Sequence, residues 1–274
     1  MPELKVNGTS IYYEDTGGDK PVILFAHGLL FSSQMFEFQI ERLVDEYRCI
    51  SFDFRGQGLS DSPTSGYDMD SITEDTLQLI RELDIAPVHF AGLSMGGYVG
   101  LQLAARHPEL LKSLTLMATS AEAISKEDYK RYKRLSFIGR WLGYTLVSGE
   151  IMRRLFGPVF REDPKLYREQ LIWRNRLLSN NRKGIAKAVN GAINRQDISE
   201  SLHLINTPTL ILVGEDDEIT PTDHAERMKN RLRNASMVVI PQAGHMLSAE
   251  APDEVCDYML DHLRKVDGTH KPQS

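Results

Sequence analysis

The chain has 274 residues, room for one large domain or for one domain carrying an insertion. A formal net charge of −6 argues against nucleic acid as a partner, and a charged fraction of 26% is that of an ordinary soluble protein. The two cysteines, Cys49 and Cys256, lack a Cys-x-x-Cys partner or a His cluster, so both read as small buried hydrophobes and neither a metal nor a redox centre is expected.

The first residues, Met1-Pro2-Glu3-Leu4-Lys5, do not combine a basic segment with an apolar run, so a cytoplasmic protein is expected. The longest candidate membrane stretch, 135–147, is interrupted by Arg140 and is shorter than the ~20 residues that a span needs. Two alternating runs joined by Asn7-Gly8 predict a hairpin over 4–13, since Asn-Gly favours the tight turns whose twist matches paired strands. The apolar run 21–26 predicts a strand buried on both faces, and it ends in His27-Gly28-Leu29. A helix over 34–47 and a strand over 48–52 follow, then the polar loop from Asp53 to Ser60.

Residues 69–84 predict a helix with Ile72, Thr76, Leu79, Ile80 and Leu83 on one face and Asp68 or Asp70 as its cap. A strand over 88–91 and a helix over 98–106 flank Gly92-Leu93-Ser94-Met95-Gly96. The next strand is expected over 114–118. Strand and helix alternating at this spacing mean right-handed crossovers and a mostly parallel sheet covered on both faces.

The alternation then stops. From Ala121 to Leu204 only helical runs are legible, over 129–147, 150–156, 164–178 and 183–193. Residues 121–200 carry 17 Lys or Arg against 9 Asp or Glu, which reads as a solvated basic surface and would also suit an anionic substrate. Both tryptophans, Trp141 and Trp173, lie here beside Phe137, Phe156 and Phe160. Most of these aromatics read as the small core of a helical subdomain, while some, the two tryptophans as substrate contacts among them, are expected to face Ser94 across a cleft. Strand 209–213, helix 222–233, strand 236–240 and helix 252–265 complete the chain, with a polar tail over 269–274.

Gly-x-Ser-x-Gly alone arises by chance in roughly one chain in ten of this length. Its placement between strand and helix sharpens it, because a serine at the tip of such a turn has its hydroxyl pushed out of the sheet. Gly96, Gly97 and Gly100 each cost about 1 kcal/mol at the start of a helix, so something must approach that backbone closely. In an open parallel sheet ligands bind at the carboxyl ends of strands, where His27-Gly28-Leu29, Gly92 to Gly97, Gly214 to Asp217 and Gly244-His245 all fall. A serine hydroxyl needs an adjacent base, and the base a carboxylate to fix its tautomer. Ser94, then Asp216 or Asp217, then His245 supplies these in the order Ser, Asp, His.

On these motifs, together with Asp53-x-Arg55-Gly56-x-Gly58-x-Ser60, the chain resembles the α/β-hydrolase superfamily, in its capped carboxylesterase and 3-oxoadipate enol-lactonase-like branch. The resemblance implies an eight-stranded, mostly parallel sheet flanked by helices, with an all-helical cap inserted after strand 6. It divides the chain into a core of residues 1–120 and 205–274 and a cap of residues 121–204. It favours Asp217 over Asp216 as the acid and places oxyanion donors on the backbone of Met95 and Leu29, whose side chains would also wall the pocket. Leu29, Met95, Trp141 and Trp173 are thus the expected substrate contacts. His27 is read as a brace of its own loop, and Asp53 with Arg55 as a salt-bridged loop brace.

The function implied is cofactor-free hydrolysis of carboxylic esters, lactones included, through an acyl-enzyme on Ser94. The partner would be a small-molecule ester or lactone, without nucleic acid or membrane, for a monomer or homodimer. A C–C bond hydrolase is the alternative, although Leu29-Leu30-Phe31 lacks that group's Gly/Pro-rich loop. A ligand receptor that retains the triad is the reading from a different class. Ser94 itself disfavours epoxide hydrolases and haloalkane dehalogenases, which place an aspartate there.

Overall fold

A computed structural model describes residues 2–269; of the expected polar tail, all but Thr269 lies outside the described residues. The sheet begins with a hairpin, β1 (Glu3–Val6) and β2 (Thr9–Asp15), whose turn residues Asn7 and Gly8 both have positive φ, 44° and 74°. The other strands are β3 (Val22–Ala26), β4 (Arg48–Phe52), β5 (Val88–Leu93), β6 (Leu111–Met117), β7 (Thr209–Gly214) and β8 (Ala235–Ile240). Their order across the eight-stranded sheet is β1-β2-β4-β3-β5-β6-β7-β8. The pairs made by β1 with β2 and by β2 with β4 are antiparallel, and all later pairs are parallel.

Successive strand residues feed opposite faces, so Ile23 and Phe25 enter one apolar core while Leu24 and Ala26 enter the other. Helices α1 (Glu37–Leu43) and α11 (Pro252–Asp267) cover the first face. Helices α2 (Met69–Glu82), α3 (Met95–Arg106) and α9 (Thr222–Arg231) cover the second. Of the two caps considered for α2, it is Asp68 whose carboxylate accepts the Ser71 N–H, at 2.9 Å.

Between the adjacent strands β6 and β7 the chain makes α4 (Lys126–Trp141), α5 (Ser148–Leu155), α6 (Pro158–Glu162), α7 (Tyr167–Ser179) and α8 (Arg182–Ile193), with no strand. The helix expected over 129–147 ends early because Gly143, at φ 107°, turns the chain into a single 3-10 turn at Tyr144–Leu146. Likewise 34–47 begins as a 3-10 turn, Ser33–Phe36, before the shorter α1. A four-residue helix, α10 (Leu247–Glu250), follows His245. No helix among the described residues is long and apolar enough to cross a membrane.

Candidate active site

Ser94 stands between the last residue of β5 and the first of α3 with φ 51° and ψ −108°. A left-handed φ at a residue with a side chain is strained, and the neighbouring backbone holds it in place. The Ser94 N–H donates to the Met117 carbonyl at 2.8 Å, and the Ser94 carbonyl accepts from Thr119 Oγ1 at 2.6 Å. The glycines around it have the close approach that their cost demanded. A Cβ on Gly96 would strike the Ala26 carbonyl, and one on Gly92 would strike the Gly96 backbone. With β3, β5 and α3 packed that tightly, the turn is pinned and Met95 opens the helix, where its N–H has no intrahelical acceptor.

His245 is 3% exposed and Asp217 is 4% exposed. His245 Nδ1 lies 2.9 Å from Asp217 Oδ2 and 3.1 Å from Oδ1, so the ring is held by both oxygens. Asp216 has no such contact; its N–H donates to the Ala243 carbonyl at 2.9 Å, which ties its loop to the one before His245. Asp217 also accepts from the Ile219 and Thr220 N–H groups at 2.8 and 3.0 Å, and from Thr220 Oγ1 at 2.8 Å. Burial alone would raise its pKa, but the His245 ring and these donors outweigh it and hold the carboxyl below the usual range.

Ser94 and His245 line one cavity of about 240 Å³. Leu29 and Met95 line it too, beside an apolar wall that includes Leu135, Tyr144, Ile151, Leu155 and Val189 from the helical segment. The tryptophans expected at this cavity are elsewhere, and both are corrections. Trp141 is 64% exposed, with the Arg140 guanidinium over its ring at 5.0 Å, because α4 ends there and turns its last residues outward. Trp173 is buried against Phe31 and Phe156, with ring centroids 5.4 and 6.1 Å away, as part of the core.

The loop carrying Leu29 is braced on several sides. His27 is fully buried; its Nδ1 contacts the Gly28 carbonyl at 2.7 Å and its Nε2 accepts the Phe54 N–H at 2.9 Å, a neutral ring whose pKa burial pushes down. Leu30, at φ 77°, donates its N–H to Gln57 Oε1 at 2.9 Å. Asp53 and Arg55 do brace loops, but not as a pair. Asp53 accepts from the Ser33 and Leu59 N–H groups at 2.7 and 2.8 Å, whereas the Arg55 guanidinium grips Asp75 on α2 in a bidentate pair.

Sequence reasoning missed Thr220, although a hydroxyl three residues after a loop aspartate is a recognisable local pattern. It also gave no role to His224, which lines the cavity while contacting Ser120 Oγ at 2.9 Å. Two arginines, Arg154 and Arg195, line the cavity as well, and their positions could not be read before the helices packed.

The sequence profile of the alpha/beta hydrolase fold matches residues 21–252. The chain belongs to the α/β-hydrolase family. This hydrolase is similar over 250 residues, at 30% identity, to the AB hydrolase superfamily protein YisY of Bacillus subtilis, covering 90% of this chain and 92% of that protein. To 3-oxoadipate enol-lactonase 2 of Acinetobacter baylyi it is 27% identical over 234 residues, 85% of each chain. Among solved structures, a thermophilic esterase from Thermogutta terrifontis with malate bound superposes with a TM-score of 0.88 at 31% identity, covering 97% of this chain and 99% of that one. Among the described residues of this hydrolase, no group of three or more His, Cys, Asp or Glu is placed to hold a metal ion.

Proposed function

We propose that the protein is a serine hydrolase of carboxylic esters, lactones included, working through an acyl-enzyme on Ser94. The observation that carries this reading is a buried imidazole fixed at Nδ1 by both Asp217 oxygens on the cavity that Ser94 also lines. With Nδ1–H bound to the carboxylate, Nε2 is the ring's basic nitrogen, and it takes the Ser94 proton as Oγ attacks the carbonyl. The N–H groups of Met95 and Leu29 stabilise the tetrahedral oxyanion, the first at a helix N-terminus whose dipole favours negative charge. The imidazolium then protonates the departing alcohol. Water, deprotonated in turn by His245, releases the acid and restores Ser94. Residues 121–204 act in this scheme as a cap over a core of residues 1–120 and 205–274, and their apolar side chains enclose the substrate.

A narrower reading, substrates that carry a carboxylate beside the ester or lactone, is favoured by Arg195. Its Nε donates to the Glu122 carbonyl at 2.8 Å, and its guanidinium lies over the Tyr98 ring at 5.3 Å. The nearby carboxylate of Glu122 is taken by Arg227 and His224, which leaves Arg195 without a direct ion pair among the described residues. Burial lowers its pKa, so a substrate carboxylate would relieve an incompletely compensated charge. Malate and 3-oxoadipate, which appear in the names of similar proteins, are dicarboxylates.

The test is hydrolysis of short-chain nitrophenyl esters by the wild type and by Ser94→Ala. Turnover in the wild type that the variant loses is expected; equal turnover in both sinks the reading.

A further inference from the structure

Glu250, the last residue of α10, is a partly buried acid that the proposed reaction does not use. Salt bridges to it are absent among the described residues, yet three backbone N–H groups converge on it. Oε2 accepts from Gly157 at 2.7 Å and from Gly244 at 3.0 Å, and Oε1 accepts from Met246 at 3.0 Å. Gly244 and Met246 are the residues on either side of His245. Gly157 belongs to the helical segment, at the turn between α5 and α6.

We infer that Glu250 is a positioning residue for His245, its carboxylate fastening the backbone on both sides of the base to the α5–α6 turn. The inference rests on the role proposed for His245. The His245 and Met246 N–H groups also donate to the Leu155 carbonyl, at 3.0 and 3.1 Å, so the loop has two anchors and both join it to the same end of α5. Two glycines make this possible. A Cβ on Gly244 would strike the Gly157 nitrogen, and one on Gly157 would come within 3.0 Å of the Gly244 nitrogen. The two backbones can approach closely enough to share one oxygen only while neither bears a side chain.

A neutral residue does not substitute for the anion. Protonation adds a hydrogen to one oxygen and removes the charge that the three N–H groups share, and the amide of glutamine turns a donor towards at least one N–H. Protonation of Glu250 therefore weakens these contacts. Burial pushes its pKa up to about 7 against the pull of the three N–H groups, and Asp217, the charged group facing it from the β7 loop, adds to the rise. The arrangement adds the deprotonation of Glu250 to whatever the reaction itself requires before the base is ordered.

The experiment measures the rate at which a fluorophosphonate probe phosphonylates Ser94, with loss of fluoride, from pH 5.5 to 9 by intact-protein mass spectrometry. Wild type and Glu250→Gln are compared, with kcat and KM for a nitrophenyl ester measured alongside. In the wild type the acid limb of the log rate should approach a slope of two. In Glu250→Gln it should have a slope of one below a plateau lowered tenfold or more, with KM within twofold. A wild-type slope of one overturns the inference without any variant, so poor folding of the variant does not shelter it. Labelling of Glu250→Gln within twofold of wild type across the range overturns it too, as does loss of kcat and KM binding together in step with thermal stability. Failure of the probe to label wild-type Ser94 overturns the serine mechanism and this inference together, whereas equal labelling of both proteins overturns this inference alone.

Discussion

Asn180, at the turn between α7 and α8, donates its side-chain amide to the Leu30 carbonyl at 2.8 Å, joining residues 150 positions apart. Its Oδ1 also accepts the Gly58 N–H at 3.3 Å. One side chain from the helical segment thus holds two loops, including the one that carries Leu29. Asn180→Ala removes both contacts and frees a backbone that Leu30 keeps at positive φ. The expected cost is about 1–2 kcal/mol of transition-state stabilisation, roughly a tenfold fall in kcat with KM little changed, read from ester steady-state kinetics.

The packing of β3 against the Ser94 turn makes Gly96 intolerant of any side chain. Gly96→Ala drives a Cβ into the Ala26 carbonyl, a backbone atom that the central strand cannot move. Gly100→Ala instead meets Leu114 Cδ1 and the edge of the Phe90 ring, at 2.8 and 2.9 Å, side-chain atoms that repack at less cost than a strand carbonyl. Gly96→Ala should cost ~3 kcal/mol or more and Gly100→Ala about 1 kcal/mol, by urea denaturation.

The partly buried acid on α10 also leaves a mark on stability. A carboxyl with a folded pKa of about 7 and a model value of 4.5 stays protonated in the folded chain over a window where the unfolded chain has ionised. The folded state therefore binds more protons, and this group's contribution to stability falls as pH rises from 4.5 to 7, by about 3 kcal/mol in all. Comparing unfolding free energies at pH 5 and pH 7.5, Glu250→Gln should lack that fall, and the double difference with wild type isolates it from other carboxylates. The negative charge that seats the base is one that the fold would be more stable without.

Arg195→Gln tests the carboxylate-bearing substrates. The kcat/KM ratio between an ester carrying a free carboxylate and a neutral ester of the same shape should fall roughly 10- to 100-fold, the worth of a charged hydrogen bond. An unchanged ratio assigns Arg195 to structure alone.

Much of the fold was legible because its signals are local. Asn7-Gly8 announces a turn through its own dihedrals, and continuous apolar runs announce strands covered on both faces. The candidate site was legible as four polar stretches at strand ends, but choosing between Asp216 and Asp217 needed the path of one loop, which turns on a single residue. What could not be read depends on helix packing across long sequence distances. Gly143 stops α4 short, so Trp141 ends on the surface instead of over the cavity. Glu250 gave no signal at all, since its partners are backbone N–H groups with no sequence signature.

Trp141 offers the matching measurement. Trp141→Ala should leave ester kcat/KM within roughly twofold of wild type, as expected of an exposed side chain away from the cavity. A larger loss would return the residue to the substrate path.

The Leu155 carbonyl, which accepts from both His245 and Met246, bears on how such proteins diversify. Exchanging the whole stretch between β6 and β7 for that of another member looks like a simple way to change substrate range. Here the exchange would take away the atom on which the base loop hangs, along with Gly157 and Asn180. A transplanted stretch must bring equivalents of all three at matching positions, so new specificities should arise more readily by altering the cavity wall in place than by recombination.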